Sequence, residues 1–587
     1  MQTQATSTPS VKFNPTQQEL PLGLLSFCKE CSKEIPSLVY RKADKLFWQK
    51  NCPIHGVKEE ALCDSIFTHD APKPTPHSPS HTHTGTKIIQ RVNGLPKTVE
   101  TLCPECKKNI LGIEYDENGK VYMEKTCPVH GYFKDLLFSD TKLFLKMERW
   151  AFEDDRGLEN PMVRKTAQCP STCGLCGNHQ SNTCLGVIDL TNRCNLSCPV
   201  CFANANIKGT VYEPSYEEVV KMMQVLRSER PTPAVAVQLS GGEPTLHPRF
   251  IDIIKKAKEL GFSHIQVATN GIKFADWEFT KACADAGLHQ LYLQFDGEDD
   301  EVYKKTRGVP LFNKKMQCVE NIRKVREKIK IVLVPTIIKT VNDQEVAPII
   351  RFAIRNIDVI SGISFQPVAF TGRHSLEERE KYRFTLADMA HLMQDAGIAR
   401  VDRDFYPLAV VTPFSRLVAA ITGDPKITMS AHTHCSMGTY LAVDNDGNPT
   451  PFPSFIDAEG LLTEMNALAR KARKSRIKLF TKLQALNFMR KYFNSKKAPK
   501  GLTFLKFLQS LQGMTDKNLG RGNKGKKNYK FLLVAGMHFM DCYNYDVERV
   551  KRCLVHYPSP EGKLYPFCTY NCGPVFRDIV EKKFARL

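Results

Sequence analysis

Three cysteines, Cys194, Cys198 and Cys201, fall within "TNRCNLSCPVCFANA" (191–205). Their C-x3-C-x2-C spacing gathers three soft thiolates on one short segment. A structural zinc site or a complete [4Fe–4S] cluster takes four protein ligands. Three thiolates on a four-iron cluster would leave one iron open to another molecule. The same spacing recurs upstream at Cys169, Cys173 and Cys176. There Cys184 could close the shell of an auxiliary cluster, with His179 the weaker candidate for that place.

A second pattern is a tandem repeat at a shift of 75 residues. Cys28, Cys31, Cys52 and His55 map onto Cys103, Cys106, Cys127 and His130 without a gap, and Tyr40, Phe47 and Lys50 map onto Tyr115, Tyr122 and Lys125. C-x2-C followed by C-P-x-H reads as a Cys3His site for zinc or a mononuclear iron. Cys63 could replace His55 in the first copy, but the second copy has no equivalent cysteine. Near the other end, Cys435, Cys553, Cys568 and Cys572 are candidates for a further auxiliary cluster, with Cys542 a fifth. Cys283 and Cys318 lie in helical patterns and read as core.

These residues need a scaffold. From residue 186, apolar runs "GVIDLT", "AVAVQLS", "HIQVATN", "QLYLQFD", "IVLVPTII" and "GISFQPV" alternate with amphipathic helical segments. That alternation predicts an α/β fold with a parallel sheet, open or curled into a partial (β/α)6 barrel. The catalytic-type triplet then sits just after the first strand, on the face where such folds build sites. "SGGEP" follows the second strand, Asn270 ends the third, Asp296 the fourth, and Gln366 lies in the sixth.

With the triplet, GGEP and six βα units in place, the segment 184–400 resembles the radical S-adenosylmethionine (SAM) enzymes. The resemblance implies that Cys194, Cys198 and Cys201 bind a catalytic [4Fe–4S] cluster whose open iron chelates SAM. It also implies reductive cleavage to a 5′-deoxyadenosyl radical that abstracts hydrogen from an inert C–H bond. Gly241, Gly242 and Glu243 are then expected at the methionine amino group. Asn270, Asp296 and Gln366 are expected to complete the cofactor contacts. Val200 stands where the family usually has an aromatic residue, a role Phe202 could cover. "CGLC", "LTNRCNL", "QLSGGEPT", "LYLQFDG" and "MHFMDCYNYDVERVKRC" extend the resemblance to the archaeal tetraether lipid synthases and their bacterial relatives. This branch implies C–C coupling of membrane lipid tails as the first functional reading. The alternative is C-methylation of a pterin-like substrate, and from another class a zinc-ribbon nucleic-acid-binding protein. The doubled upstream unit departs from the single unit associated with that branch.

The domain reading is a metal unit (1–70), a Pro/Ser/His-rich linker (71–90), a second metal unit (91–150) and an auxiliary iron–sulfur segment (151–184). The barrel (185–400) and an irregular C-terminal domain (401–587) follow. The 587-residue chain carries a net charge of +20, yet residues 470–530 hold 19 Lys and Arg against Asp516 alone. Cations alternating with Ile, Leu and Phe there predict an anionic membrane surface as partner, ahead of nucleic acid. Leu479, Phe480 and Phe493 are expected to insert. An electron donor such as ferredoxin or flavodoxin is implied by the cofactor. Without a signal sequence or a long apolar run, the expected location is cytoplasmic, peripheral on the inner face of the membrane.

Overall fold

The computed structural model describes residues 22–27, 34–42, 45–64, 94–152, 157–163, 168–203, 205, 211–370, 376–472, 478–511 and 530–585. Cys28, Cys31, the 71–90 linker, Arg473, Lys474 and Arg476 lie outside them. The chain divides into two compact units, Met1–Arg149 and Trp150–Leu587.

In the first unit each repeat is a four-stranded antiparallel sheet in sequential order. One comprises Leu22–Phe27, Glu34–Lys42, Lys45–Cys52 and Gly56–Asp64. The other comprises Lys97–Leu102, Asn109–Glu117, Lys120–Cys127 and Gly131–Phe138. The matched aromatics are cross-strand partners: Tyr40 faces Phe47 and Tyr115 faces Tyr122, with ring centroids 6.1 and 6.4 Å apart. Cys52 pairs with Gly56 and Cys127 with Gly131, so each C-P-x-H-G is a hairpin turn. Both glycines sit at positive φ, 76° and 78°, where a Cβ would be strained. Lys50 of one copy reaches Glu124 of the other at 2.8 Å, both buried.

In the second unit six strands pair in parallel: Leu185–Thr191, Ala236–Gly241, His264–Thr269, Gln290–Gln294, Lys330–Val334 and Ile360–Pro367. The partial barrel predicted from the apolar runs is thus present, strand for strand. A Cβ on Gly186 would lie 2.2 Å from Leu226 in the helix Tyr216–Ser228. The face shared by Gly186, Val237, Ile265 and Leu291 therefore packs on the crossover helices. Val237, Leu239, Ile265, Val267, Leu291 and Leu293 are fully buried there, each stabilising the fold by about 1.5–3 kcal/mol. The opposite, inward face carries Gln238, Gln266, Gln290 and Tyr292. Caps fix the helix ends. Ser215 and Glu218 form a capping box ahead of Tyr216–Ser228. Asp299 caps Asp300–Arg307, which Gly308 ends at φ 82°.

The expected separate C-terminal domain is corrected. Lys530–Met537 pairs in parallel with the sixth strand and antiparallel with Ser436–Val443. Val555–Pro558 pairs in parallel with the first strand, and Leu564–Pro566 follows it. The late segment therefore lengthens the barrel sheet at both edges, a long-range pairing that local periodicity does not reveal. Helices Ala458–Ala472, Lys478–Lys491 and Phe504–Leu511 are inserted ahead of Lys530. They share a core with Leu417 and Phe455.

For Phe493 this packing also corrects the membrane-insertion reading. Phe493 is spent inside the helical insert, against Phe455, Phe504 and Phe507. Among the described side chains of Lys478–Lys491, Ala485, Phe488 and Met489 pack against that same core, whereas a membrane-surface helix turns its apolar face outward. The side chains of Lys478, Leu479, Phe480 and Lys482 lie outside those described. Among the described residues, no helix is long and apolar enough to cross a membrane.

Candidate active site

The triplet loop leaves the first strand at Thr191 and runs across the C-terminal end of the second. Gly242 N–H donates to the Thr191 carbonyl at 2.7 Å and Glu243 N–H to the Arg193 carbonyl at 2.9 Å. A Cβ on Gly241 would lie 2.2 Å from the Thr191 oxygen, and one on Gly242 2.3 Å from the Arg193 oxygen. The paired glycines are thus required by the loop itself, which could not otherwise lie so close.

Glu243 is buried and its carboxylate accepts from Thr245, Thr269 and the Asn270 N–H, at 2.7, 2.9 and 2.9 Å. Asn270 Nδ2 donates to Asn195 Oδ1 inside the triplet at 2.7 Å, and Asn270 Oδ1 accepts from Ile272 N–H. Asp296 is fully buried: Arg307 grips both its oxygens at 2.6 and 2.9 Å, with further donors from Gln294, Thr306 and Thr336. The side chains of Glu243, Asn270 and Asp296, expected at the cofactor, thus have hydrogen-bond partners within the protein. Glu243 is bonded to Asn270 and Asn270 to the triplet loop, whereas Asp296 is held by Arg307. Gln366 is half-buried on the inward face, donating to the Tyr292 hydroxyl at 3.2 Å. That hydroxyl in turn donates to Ser364 at 2.6 Å.

The three sulfurs are half-buried. Burial pushes Cys194 up to about 12, and the Glu243 carboxylate and the other two sulfurs add to it. Burial also pushes Cys198 up, opposed by the Arg307 guanidinium beside it. Three half-buried sulfurs on one short loop fit a cationic iron–sulfur core, which would take them as thiolates.

Two buried cations escaped the sequence reading, Arg307 and Lys315. Lys315 Nζ donates to the Asn270 carbonyl and to Gln294 Oε1 at 2.5 and 2.7 Å. Burial lowers it to about 8. A signal was available: in Phe312–Lys324, Lys315 shares the buried stripe with Cys318, Val319 and Ile322, and a charge in an apolar register needs a partner. Phe202 stacks on Phe567 and not in the place left by Val200; Val200 packs with Ile338, Val368, Phe370 and Tyr543.

The other cysteines gather in part. In the second ribbon, donor atoms of Cys103, Cys106, Cys127 and His130 all lie within 4.8 Å of one another. Burial pushes Cys103 up to about 11. At Cys127 the N–H groups of Val129 and His130 outweigh burial and bring the thiol to about 6. In the first ribbon Cys52 and His55 approach to 3.5 Å. Cys435, Cys553 and Cys568 line one cavity of about 60 Å³ together with Arg549. Arg549 Nε donates to Cys435 Sγ at 3.4 Å. Cys572 instead donates to the Met540 carbonyl at 2.7 Å. Cys173 is pushed up to about 11 by burial, with the Cys176 sulfur adding to it. The Cys184 backbone N–H pairs with the Leu554 carbonyl. His179 is buried against His556 at 3.1 Å.

Comparison with known proteins bears on these centres. A model of the radical SAM superfamily matches residues 188–353. One described as the HMPTM N-terminal zinc ribbon domain matches 24–64 and 95–139. Both repeats therefore match that domain. The 7,8-dihydro-6-hydroxymethylpterin dimethyltransferase of Methanocaldococcus jannaschii is 41% identical over 499 residues, 84% of this chain and 96% of its own. A GTP 3′,8-cyclase of Limosilactobacillus fermentum is 30% identical over 38% of this chain and 63% of its own. Among solved structures, Streptococcus suis SuiB bound to S-adenosylmethionine aligns at 17% identity and a TM-score of 0.31, over 38% of this chain and 48% of its own. The chain is a radical SAM enzyme and belongs to the family of the archaeal dimethyltransferase.

Proposed function

We propose that this enzyme C-methylates a pterin-like heterocycle, with Cys194, Cys198 and Cys201 holding the catalytic cluster. The observation that carries this reading is the polar inward face of the barrel. His264, Gln238, Gln266 and Gln290 are hydrogen-bonded side by side on it, and Tyr292, Ser364 and Gln366 continue toward the mouth. A lipid tail there would meet a polar face with which it can exchange no hydrogen bond. A flat ring bearing amide and amino groups exchanges hydrogen bonds with them. The pterin named for the archaeal relative has that chemistry, so the pterin reading displaces lipid coupling.

The cluster with SAM supplies hydrogen-atom abstraction. The chain's own residues hold the triplet loop, line the mouth with Gly241 and Gly242, and orient the ring through Tyr292 and Gln366. The ribbons, with His55 and His130 as fourth ligands, hold structural zinc. Cys435, Cys553 and Cys568 are the leading auxiliary iron–sulfur ligands. Cys169, Cys173, Cys176 and Cys184 form a second candidate set, and an external reductant supplies electrons.

The test is anaerobic turnover with reductant and SAM. Dihydro-6-hydroxymethylpterin is expected to stimulate 5′-deoxyadenosine formation and gain methyl carbon. Cys198→Ala is expected to abolish 5′-deoxyadenosine. Gln366→Ala is expected to raise the pterin KM about tenfold while SAM cleavage without pterin is unchanged. Stimulation by an isoprenoid or acyl lipid and none by the pterin would overturn the reading.

A further inference from the structure

A ring of hydrogen bonds enters the triplet loop at one end and leaves it at the other. Asn195 accepts from Asn270. The Asn270 carbonyl accepts from Lys315, which also donates to Gln294. Gln294 donates to Asp296, and Arg307 grips Asp296. Arg307 then returns to the loop, donating Nη1–H to the Val200 carbonyl at 3.2 Å. Its guanidinium lies against the Cys198 sulfur.

A buried Arg–Asp pair is in general a weak net stabiliser, because desolvation cancels most of its attraction. Stability alone therefore accounts poorly for Arg307. The helix Asp300–Arg307 ends at the triplet loop: a Cβ on Gly308 would come within 3.9 Å of Pro199 and 4.0 Å of the Ser197 carbonyl. Arg307 is the last residue of that helix and divides its N–H groups between Asp296, Thr336 and the triplet loop. Among the described residues it is the cation that the structure sets against a sulfur of the triplet.

We propose that Arg307 is a positioning residue that sets the reduction potential of the cluster held by Cys194, Cys198 and Cys201, with Asp296 as its counterweight. One-electron reduction adds a negative charge to the cluster. A buried cation beside one thiolate stabilises that charge, and net charge and hydrogen bonds to the sulfurs are what tune such potentials. Asp296 fixes the guanidinium in place and offsets part of its charge, which holds the potential below what Arg307 alone would give. The inference rests on the triplet holding the cluster and is independent of the substrate.

The experiment is an EPR-monitored redox titration of the reconstituted full chain, following the signal that responds to SAM, with iron and sulfide counted. Arg307→Gln is expected to keep its iron and lower the reduction equilibrium about tenfold, about 59 mV for one electron. Arg307→Lys keeps the charge and should recover most of that shift. Asp296→Asn removes the counterweight and should move the potential the opposite way. A wild-type potential in an iron-replete Arg307→Gln chain overturns the proposal. If that chain loses its iron, Asp296→Asn decides: a rise supports the proposal, and no rise, or loss of iron there too, overturns it in favour of a purely structural pair. Cys198→Ala is the control. A SAM-responsive signal surviving in it would mean that the triplet assignment itself had failed.

Discussion

The glycines of GGEP show how a residue type can be required for a reason other than its motif suggests. Gly241 sits at φ 126° with the Thr191 carbonyl where a Cβ would be. At Gly242 the obstacle is the Arg193 backbone, which cannot swing aside as a side chain would. Gly242→Ala is therefore expected to push the triplet loop off the second strand and to cut SAM cleavage at least about tenfold. Cluster iron should fall, and the remaining fold should melt nearly normally, since most of the barrel core is on the other face of the sheet. Iron analysis beside a melting curve checks this. Glu243 belongs to the same argument: with Thr245, Thr269 and Asn270 on its carboxylate, it ties two strand ends together.

At the scale of elements, the helix Tyr216–Ser228 ends on Glu229, a fully buried carboxylate. Burial raises it to about 7, against the opposing pull of Thr183. A carboxylate at a helix C-terminus also meets the negative end of the helix dipole. Its folded pKa lies above the unfolded value of about 4.3. The stability linked to its proton is therefore present below about pH 4.3 and lost as pH rises through about 7, at most on the order of 3 kcal/mol. Glu229→Gln stays neutral throughout. Its melting temperature is expected to gain on wild type between pH 5 and pH 8, by a few degrees. Thermal melts at the two pH values check this, and a gap that does not widen with pH would contradict it. The neighbouring chain of Thr183, His556 and His179 is fully buried and neutral for the same reason, burial lowering both imidazoles.

At the scale of the whole chain, the ribbons depend on their ligands in a way the barrel does not. The second ribbon closes its sheet on Cys103, Cys106, Cys127 and His130, and the binding free energy of a metal in such small units is largely folding free energy. Replacing Cys103 and Cys106 with Ser is expected to lower zinc by one ion per chain and to open residues 94–138 to limited proteolysis. The barrel's SAM-cleaving chemistry should survive in the soluble fraction. A variant that kept its protease resistance and lost only turnover would move these cysteines from a structural role to electron transfer.

Spacing and periodicity were enough for the triplet, the tandem ribbons and the six barrel strands, because each is a local property of the chain. A cysteine loop, a hairpin turn and an apolar run with its helix declare themselves within about thirty residues. What only the tertiary structure decided are the long-range pairings. Lys530–Met537 and Val555–Pro558 join the sheet beside strands far back in the chain. Phe493 turns into a helical core, away from a surface. The convergence of Cys435, Cys553 and Cys568 on one cavity is of the same kind. So are the hydrogen-bond partners of Glu243, Asn270 and Asp296. The sequence placed those three residues at the ends of strands, where polar groups face a site, but whether they meet a ligand or one another depends on buried cations contributed by separate helices. Arg307 and Lys315 take up the hydrogen bonds that the strand ends offer, and burial without water makes that satisfaction obligatory.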